Sequence, residues 1–347
     1  MTRPAFAFAF SLFVLASFGA SAVSAQTILK LAHLNPQRPF DIPSAAMASV
    51  FKQEVEKYSH GTIQVEIYAD GSLGNEIETM TQVKSGIVHS FITTTGGLAP
   101  YYPLIDITAM PFAFQSYEVA YRVYDGSFGR ELAADIEKKA GFKVLGFGES
   151  GGFFAITNSR RQIRNPGDLK GLKIRTMSLP LHQNIVRSLG ALPVTVAWAE
   201  VYAALQTGVA DGQMNPVSII SMAKFQEVQG YITLLDLLYS PYIWIMNPKF
   251  YAGLTPGERR IVDEAAQTAI IAGRGMSRLI DASDKGLSAL SSRMRVFVPG
   301  ASELKQFRDA TIPAAREFIG RQYKNEGETL LERFYAAIAK AERETDD

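Results

Sequence analysis

Residues 27–68 begin with Thr27-Ile28-Leu29-Lys30-Leu31 and end with Thr62-Ile63-Gln64-Val65-Glu66-Ile67-Tyr68. The first run is typical of a strand, and the second alternates apolar and polar side chains as a half-buried strand does. Between them, residues 44–60 predict a helix that Gly61 ends, because apolar side chains recur there at helical spacing: Met47, Phe51, Val55 and Tyr58. A strand, a helix and a strand in this order predict an α/β fold with largely parallel sheets.

The same alternation continues along the chain. Further strand-like runs lie at 142–147, 153–158, 172–175 and 192–196. Toward the end, residues from Pro256 to about Leu290 predict a long helix, and a shorter helical segment is expected near 302–340.

Two segments resemble each other in layout. In the first, Leu73-Gly74-Asn75-Glu76 opens a helix that Gly86 ends, and a strand follows to Thr95. In the second, Trp198-Ala199-Glu200 opens a helix that Gly208 ends, and a strand follows from the next residue. Two similar lobes suggest a protein with a cleft, although α/β proteins without a cleft also repeat in this way. Because no Pro/Ser-rich linker separates the halves, we expect several chain crossings between the lobes.

The composition is typical of a folded protein with a substantial hydrophobic core, and neither positive nor negative charge is in excess. The chain has 347 residues, of which 47% are hydrophobic and 20% are charged, enough for roughly two domains. The 35 Lys and Arg residues balance 34 Asp and Glu residues, which argues against nucleic acid as a partner. There is no cysteine, and this excludes thiolate catalysis, cysteine–zinc sites and disulfides.

The first 25 residues differ from the rest and predict a secretory signal peptide. Arg3 precedes a largely apolar run from Ala5 to Phe18, and small residues end in Val23-Ser24-Ala25. The alternative is a single membrane anchor, but the apolar run is short for a bilayer and no stop-transfer charges follow. Removing residues 1–25 takes away only Arg3, so the exported protein would have no net charge. The predicted location is the periplasm.

One motif raises the alternative of an exported α/β-hydrolase. Gly148-Glu149-Ser150-Gly151-Gly152 matches the G-x-S-x-G nucleophile elbow and follows a strand-like run. The elbow needs a helix after the serine, whereas Phe153-Phe154-Ala155-Ile156-Thr157 reads as another strand. His182 is the only histidine downstream, and Asp168 is the only acid between it and Ser150. An esterase that uses Ser150 is therefore the less favoured hypothesis.

Cofactor and metal sites find little support in the sequence. Gly146-x-Gly148-x-x-Gly151 spells a dinucleotide fingerprint, but no helix follows to meet the pyrophosphate. The four histidines are scattered without an i,i+4 pair: His33, His60, His89 and His182. We therefore predict neither a cofactor nor a metal, and the glycine-rich stretch is interpreted as a junction between strands.

Several longer segments carry a resemblance to a known family. Asp168-Leu169-Lys170-Gly171-Leu172-Lys173-Ile174-Arg175-Thr176 resembles the solute-binding subunits of TRAP (tripartite ATP-independent periplasmic) transporters. The resemblance continues from Glu200 to Pro216, through Glu200-Val201-Tyr202-Ala203-Ala204-Leu205-Gln206-Thr207-Gly208-Val209-Ala210-Asp211-Gly212-Gln213-Met214-Asn215-Pro216. Shorter pieces fit in the same order: Leu73-Gly74-x-Glu76, Pro111-Phe112-x-Phe114 and Lys224-Phe225-Gln226-Glu227-Val228-Gln229. Together they cover nearly all of the chain after residue 25.

The resemblance implies a two-lobed α/β binding protein, similar to type II periplasmic binding proteins, with a ligand cleft and a long helix that spans the lobes. It places residues 26–151 and 241–280 in lobe I, and residues 152–240 and 281–347 in lobe II. The implied partners are a small organic acid and the membrane subunits of the transporter, and the family default is a monomer. No enzyme activity is implied.

The resemblance also implies a set of ligand-binding residues. Arg175 stands where the family keeps an arginine for the ligand's carboxylate, and its planar fork can donate two parallel hydrogen bonds. Asn215 matches an asparagine whose amide donates to the same carboxylate, and Trp198 matches an aromatic wall. Four further positions match residues that contact the rest of the ligand or lie near it: Glu76, Thr94, His33 and Tyr242.

Two departures from the family pattern predict the ligand class. Many relatives that bind sialic acid or C4-dicarboxylates carry a second arginine where this chain has Phe154. The pattern Gln-Glu-Asn-Pro is replaced by Gln213-Met214-Asn215-Pro216, which removes an acid. Both changes make the pocket less polar, so we expect Phe154 to border a pocket for a monocarboxylate with an apolar or hydroxylated body.

Overall fold

The structure is a computed structural model that describes residues 26–346, so the predicted signal peptide lies outside the described residues. The strands within this range are β1 (Thr27–His33), β2 (Ile63–Tyr68), β3 (Ser90–Thr93), β4 (Lys143–Asn158), β5 (Lys173–Thr176), β6 (Leu192–Thr195), β7 (Gly212–Pro216), β8 (Tyr231–Thr233), β9 (Tyr239–Met246) and β10 (Arg295–Phe297).

The helices frame these strands. They are α1 (Pro43–Tyr58), α2 (Glu76–Ser85), α3 (Thr95–Leu98), α4 (Tyr117–Asp125), α5 (Ser127–Ala140), α6 (Pro180–Ser188), α7 (Val201–Gln206), α8 (Val217–Met222), α9 (Pro248–Gly253), α10 (Pro256–Asp281), α11 (Leu287–Ser291) and α12 (Ala301–Asp346). Short 3₁₀ segments lie at Pro103–Ala109, Pro166–Leu169, Trp198–Glu200 and Phe225–Glu227. None of the helices within residues 26–346 is both long and apolar enough to cross a bilayer.

The strands form one hydrogen-bonded path in the order β2-β1-β3-β9-β4-β7-β5-β6, and β8 pairs with β4 and β10. The parallel pairs lie within each half: β1 with β2 and β3, β5 with β6 and β7, and β8 with β10. Every antiparallel pair includes β4 or β9. The predicted parallel sheets are thus present, and the antiparallel strands join them.

The result is the predicted two-lobed α/β fold. In the first lobe, α1 and α10 pack on the sheet around buried Phe51, Trp244 and Ile270, and the Phe51 and Trp244 ring centroids are 4.9 Å apart. The second lobe has its own core around Val201, Phe225 and other apolar residues. The residue boundaries of the lobes stay a prediction.

The two strands predicted at 142–147 and 153–158 are in fact one strand, β4. Its first part pairs with β9, and its last part, from Phe154, pairs with β7. Between Glu149 and Phe153 the pairing shifts register, at Gly151 (φ 100°) and Gly152 (φ 101°). Glycine adopts these backbone angles without a steric penalty, so the strand bends there without ending.

The two helices predicted near the C-terminus have other lengths. The first, α10, ends at Asp281 rather than near Leu290, and the chain then turns back so tightly that a Cβ on Gly286 would lie 2.4 Å from the Asp281 carbonyl oxygen. The second, α12, is the longer one, and Lys324 (φ 52°, ψ −146°) interrupts it. It contacts α6 as well as α4 and α5, and Phe334 after the break packs against Phe114 and Phe128.

Candidate ligand-binding site

A cavity of about 650 Å³ opens between the two lobes. Segments from both lobes line it, including the loops that follow β1, β2 and β3 at the carboxyl ends of those parallel strands. Seven of the eight residues proposed from the sequence line this cavity: Glu76, Thr94, Phe154, Arg175, Trp198, Asn215 and Tyr242. The eighth, His33, does not line it.

Arg175 lies on β5 with only 4% of its surface exposed. Its Nε and Nη2 atoms both donate to the Val196 carbonyl oxygen, at 3.0 and 2.8 Å. This contact uses one edge of the guanidinium and leaves the edge formed by Nη1 and Nη2 for a ligand. Burial lowers the pKa of Arg175 to about 10, and the charge of Glu76 opposes this effect, so the side chain is cationic at neutral pH.

Asn215 lies on β7, two residues after Gln213 and therefore on the same face of the sheet. In the register of the sheet, Gln213 pairs with Arg175 on β5 and Asn215 pairs with Ala155 on β4. The Asn215 amide nitrogen donates to Gln213 Oε1, so one of its two hydrogens is already engaged.

The opposite side of the cavity is acidic. Glu76 begins α2, where Asn75 and Glu78 form a reciprocal capping box. Its Oε1 accepts from the Thr93 hydroxyl at 2.9 Å and from the Thr94 backbone N–H at 2.8 Å. Asp70, in the loop after β2, lines the same side. Two carboxylates therefore stand opposite a single guanidinium.

Trp198 and Tyr242 supply aromatic walls. The Trp198 ring packs edge-on against Phe225, with centroids 6.0 Å apart, so it belongs partly to the core and partly to the cavity. Tyr242 is 6% exposed, and its hydroxyl accepts from Asn35 Nδ2 at 3.0 Å. Burial raises the pKa of Tyr242 to about 12, so the phenol is neutral.

Phe154 is almost fully buried, yet its side chain borders the cavity. The ring of His182 lies behind it, with centroids 6.0 Å apart. Burial lowers the pKa of His182 to about 3, and the positive charge of Arg175 adds to this effect. His182 is therefore neutral. Among the residues that line the cavity, all within the described range, Arg175 is the only Lys, Arg or His.

His33 is buried, and its imidazole Nε2 hydrogen-bonds to Gln37 Oε1, but it is not among the residues that line the cavity. Three further residues that line the cavity, Asn35, Asp70 and Met177, are not among the positions predicted from the sequence. A signal for the first two was present, since ligands of open α/β sheets bind beyond the carboxyl ends of the strands, where both residues lie.

The geometry gives no support to the hydrolase alternative. Ser150 lies inside β4, which continues to Asn158 where the elbow would need a helix. Its hydroxyl donates to the Ser240 carbonyl oxygen at 2.7 Å. Within residues 26–346 there is also no cluster of three or more His, Asp or Glu side chains that could hold a metal ion.

Comparison with known proteins identifies the family. The profile of the bacterial extracellular solute-binding proteins, family 7, matches residues 39–322. The chain belongs to this family. Family 7 proteins are periplasmic, work with the membrane subunits of TRAP transporters and are not enzymes. The chain is thus a TRAP solute-binding protein for small organic acids.

Individual periplasmic binding proteins are similar to this chain over most of their length. The 2,3-diketo-L-gulonate-binding periplasmic protein of Escherichia coli is 32% identical over 75% of this chain and 78% of its own. A TRAP periplasmic solute-binding protein from Polaromonas, solved bound to D-erythronate, superimposes with a TM-score of 0.82 at 32% identity, covering 90% of this chain and 99% of that one. A third, from Sulfurospirillum deleyianum with bound succinate, has a TM-score of 0.82 at 27% identity and covers 90% of this chain and 99% of its own.

Proposed function

We propose that this protein captures a hydroxylated monocarboxylate between its lobes and delivers it to the membrane subunits of a TRAP transporter. The observation that carries the proposal is the single cation of the cavity. Arg175 can hold one carboxylate through the edge of its guanidinium that Val196 leaves open, and Phe154 stands where many relatives carry a second arginine.

The charges of the cavity oppose a second carboxylate. It would lie against the Phe154 ring or toward Glu76 and Asp70, so it would lose its hydration without gaining a cationic partner. Such a loss costs on the order of several kcal/mol. Hydroxyl groups suit the same surface, because carboxylate oxygens accept hydrogen bonds from them.

The relatives add support for this ligand class. One protein that is 32% identical is named for 2,3-diketo-L-gulonate, and another was solved bound to D-erythronate; both ligands are monocarboxylates with several oxygen substituents. A C4-dicarboxylate-binding relative is 30% identical and the succinate-bound protein is 27% identical, so the choice between the two ligand classes rests on the single cation of the cavity.

Calorimetry with matched acids tests the proposal. We expect D-erythronate to bind at least tenfold more tightly than succinate or malate. Phe154→Arg should shift the preference toward the diacids, because it restores a cation beside the cavity. Phe40→Arg is the matched control, since Phe40 is 82% exposed and does not line the cavity. Tenfold tighter binding of succinate or malate to the parent protein would overturn the single-carboxylate assignment.

The proposal also covers the ligand contacts, the oligomeric state, the lobe boundaries and the processing of the N-terminus. The ligand contacts are those of the seven cavity residues, the protein acts as a monomer, and its lobes have the boundaries given above. The exported form begins near Gln26, and the intact mass of protein recovered from the periplasm checks this. Retention of residues 1–25 on a membrane-bound form would contradict it.

A further inference from the structure

A chain of buried hydrogen bonds runs from the cavity across the second-lobe sheet to Gln229, just before β8. Asn215 Nδ2 donates to Gln213 Oε1, and Gln213 Nε2 donates to Thr157 Oγ1 at 3.0 Å. The Thr157 hydroxyl in turn donates to Gln229 Oε1 at 3.0 Å. At the end of this series of hydrogen bonds, Gln229 Nε2 donates to two backbone carbonyl oxygens, that of Val228 at 3.0 Å and that of Asp211 at 3.4 Å. The four side chains are between 0 and 6% exposed.

The Gln229 end of this series of hydrogen bonds fixes which group donates and which accepts at each step. Backbone carbonyl oxygens only accept hydrogen bonds, so the amide nitrogen of Gln229 must face them and its Oε1 must face Thr157. The hydroxyl of Thr157 then donates toward Gln229 and is left to accept from Gln213. Each reversed arrangement would bury an unpaired donor or acceptor, at a cost of about 1–3 kcal/mol. The orientation of Gln229 therefore fixes the orientation of the Gln213 amide, and Gln213 in turn fixes that of the Asn215 amide.

Asn215 is thereby held with its nitrogen toward Gln213. Within residues 26–346, no group donates to Asn215 Oδ1, and this oxygen is not enclosed, so it stays accessible at the cavity. The cavity thus has an oxygen acceptor and one remaining N–H at Asn215, together with the open edge of Arg175. A reversed amide would instead turn both of its hydrogens to the ligand and offer no acceptor there.

We propose that Thr157, Gln213 and Gln229 are positioning residues that orient the Asn215 amide so that Oδ1 accepts a hydrogen bond from a hydroxyl next to the ligand's carboxylate. This inference rests on the proposed function for the carboxylate at Arg175. It narrows the ligand class to 2-hydroxy acids, because the 2-hydroxyl is the donor that stands beside the carboxylate. An acid without this hydroxyl leaves Asn215 Oδ1 without a partner when the cleft closes.

The test compares acids that differ only in the 2-hydroxyl group. One pair is D-erythronate and 3,4-dihydroxybutyrate, and the other is malate and succinate. By calorimetry, the parent protein should bind the 2-hydroxy member of a pair at least tenfold more tightly. Thr157→Val, which keeps the shape of the side chain but breaks the hydrogen-bond chain, should reduce this preference to within threefold. Thr157→Ser keeps the hydroxyl and should restore the preference.

Thr311→Val is the matched control. Thr311 is also fully buried, and its hydroxyl donates to the Phe307 carbonyl oxygen on α12, away from the cavity. It should retain the preference of the parent protein even if it loses thermal stability. A Thr157→Val variant that folds and still prefers the 2-hydroxy acid tenfold overturns the positioning role.

The parent protein alone provides a second criterion, which holds even if Thr157→Val does not fold. If neither 2-hydroxy acid binds more tightly than its deoxy partner, the assignment of Asn215 Oδ1 is wrong. Failure of the proposed function looks different. If the single-carboxylate assignment is wrong but the role of Asn215 is right, the diacids bind more tightly than the monoacids, and malate still binds more tightly than succinate.

Discussion

Arg175 keeps its charge inside the protein without an acidic partner. Its guanidinium bonds to the Val196 carbonyl oxygen, and no Asp or Glu of residues 26–346 lies within 4 Å of it as an ion pair. A buried cation of this kind is costly until an anion binds beside it. The ligand's carboxylate therefore completes an arrangement that the empty protein leaves unfinished.

Replacing Arg175 should remove most of the affinity while the fold survives. Arg175→Ala should weaken D-erythronate binding by about 2–5 kcal/mol, because it removes one partner of a desolvated charge pair. Arg175→Lys should recover part of the loss, since an ammonium lacks the planar fork. Calorimetry measures both, with the exposed Arg187→Ala as control. Binding by Arg175→Ala within about threefold of the parent, a difference of about 0.65 kcal/mol, would show that the carboxylate lies elsewhere.

The sequence identified the candidate ligand residues better than their hydrogen-bond partners. Arg175, Asn215 and Phe154 were found through the family resemblance, and all three line the cavity. Their partners Val196 and Gln213 could not be predicted, because such contacts depend on which strands become neighbours. His33 contacts Gln37 and does not line the cavity, and its place near the ligand stays a prediction.

Among the elements, the 3₁₀ segment Pro103–Ala109 is joined to α6 and α12 through one carboxyl group. Asp106 is fully buried, and it accepts hydrogen bonds from the Leu181 backbone N–H on α6 and from the Tyr323 hydroxyl just before the break in α12. Burial raises the pKa of Asp106 to about 6, and these two hydrogen bonds oppose the increase.

This shift predicts a pH-dependent contribution to stability. Because the pKa of Asp106 is higher in the folded protein than its ordinary value of 3.8, the folded state holds a proton that the unfolded state releases between pH 4 and 6. The contribution of Asp106 to the free energy of unfolding should fall as pH rises through this window. It should fall by up to about 3 kcal/mol and stay constant above it.

Urea unfolding of the parent and of Asp106→Asn at several pH values isolates this contribution, because the asparagine does not titrate. The difference in free energy of unfolding should change between pH 4 and 6 and level off above that range. Asp309→Asn, which changes a carboxylate at an exposed position, is the matched control. A difference that is the same at pH 4 and pH 7 would contradict the assignment.

Local patterns predicted most elements, but not how they join. The alternation at residues 62–68 and the helical spacing at 44–60 correspond to β2 and α1. The glycines at 151 and 152 suggested a junction, whereas the chain continues as one strand because both neighbours, β9 and β7, pair with it. Whether a strand continues depends here on hydrogen bonds to strands that are distant in sequence, and a short stretch of sequence does not show those bonds.

In the whole molecule, β9 and β4 lie in the middle of the strand order and join the strands of the two lobes. A ligand that contacts both lobes stabilises the closed arrangement through those contacts. The protein saturated with D-erythronate should therefore have a smaller radius of gyration than the empty protein in small-angle X-ray scattering. Arg175→Ala under the same conditions should keep the larger value. An unchanged radius in the parent, with saturation shown by calorimetry, would argue against closure.

The position of β9 has a consequence for synthesis of the chain. β9 lies between β3 and β4 in the sheet, but the ribosome makes it long after both, since β4 ends at Asn158 and β9 begins at Tyr239. Until then, β3 and β4 each have an unpaired edge, and contacts of such sequence separation form slowly. The sheet of the first lobe is therefore completed only after the second-lobe strands β5 to β8 have been synthesised.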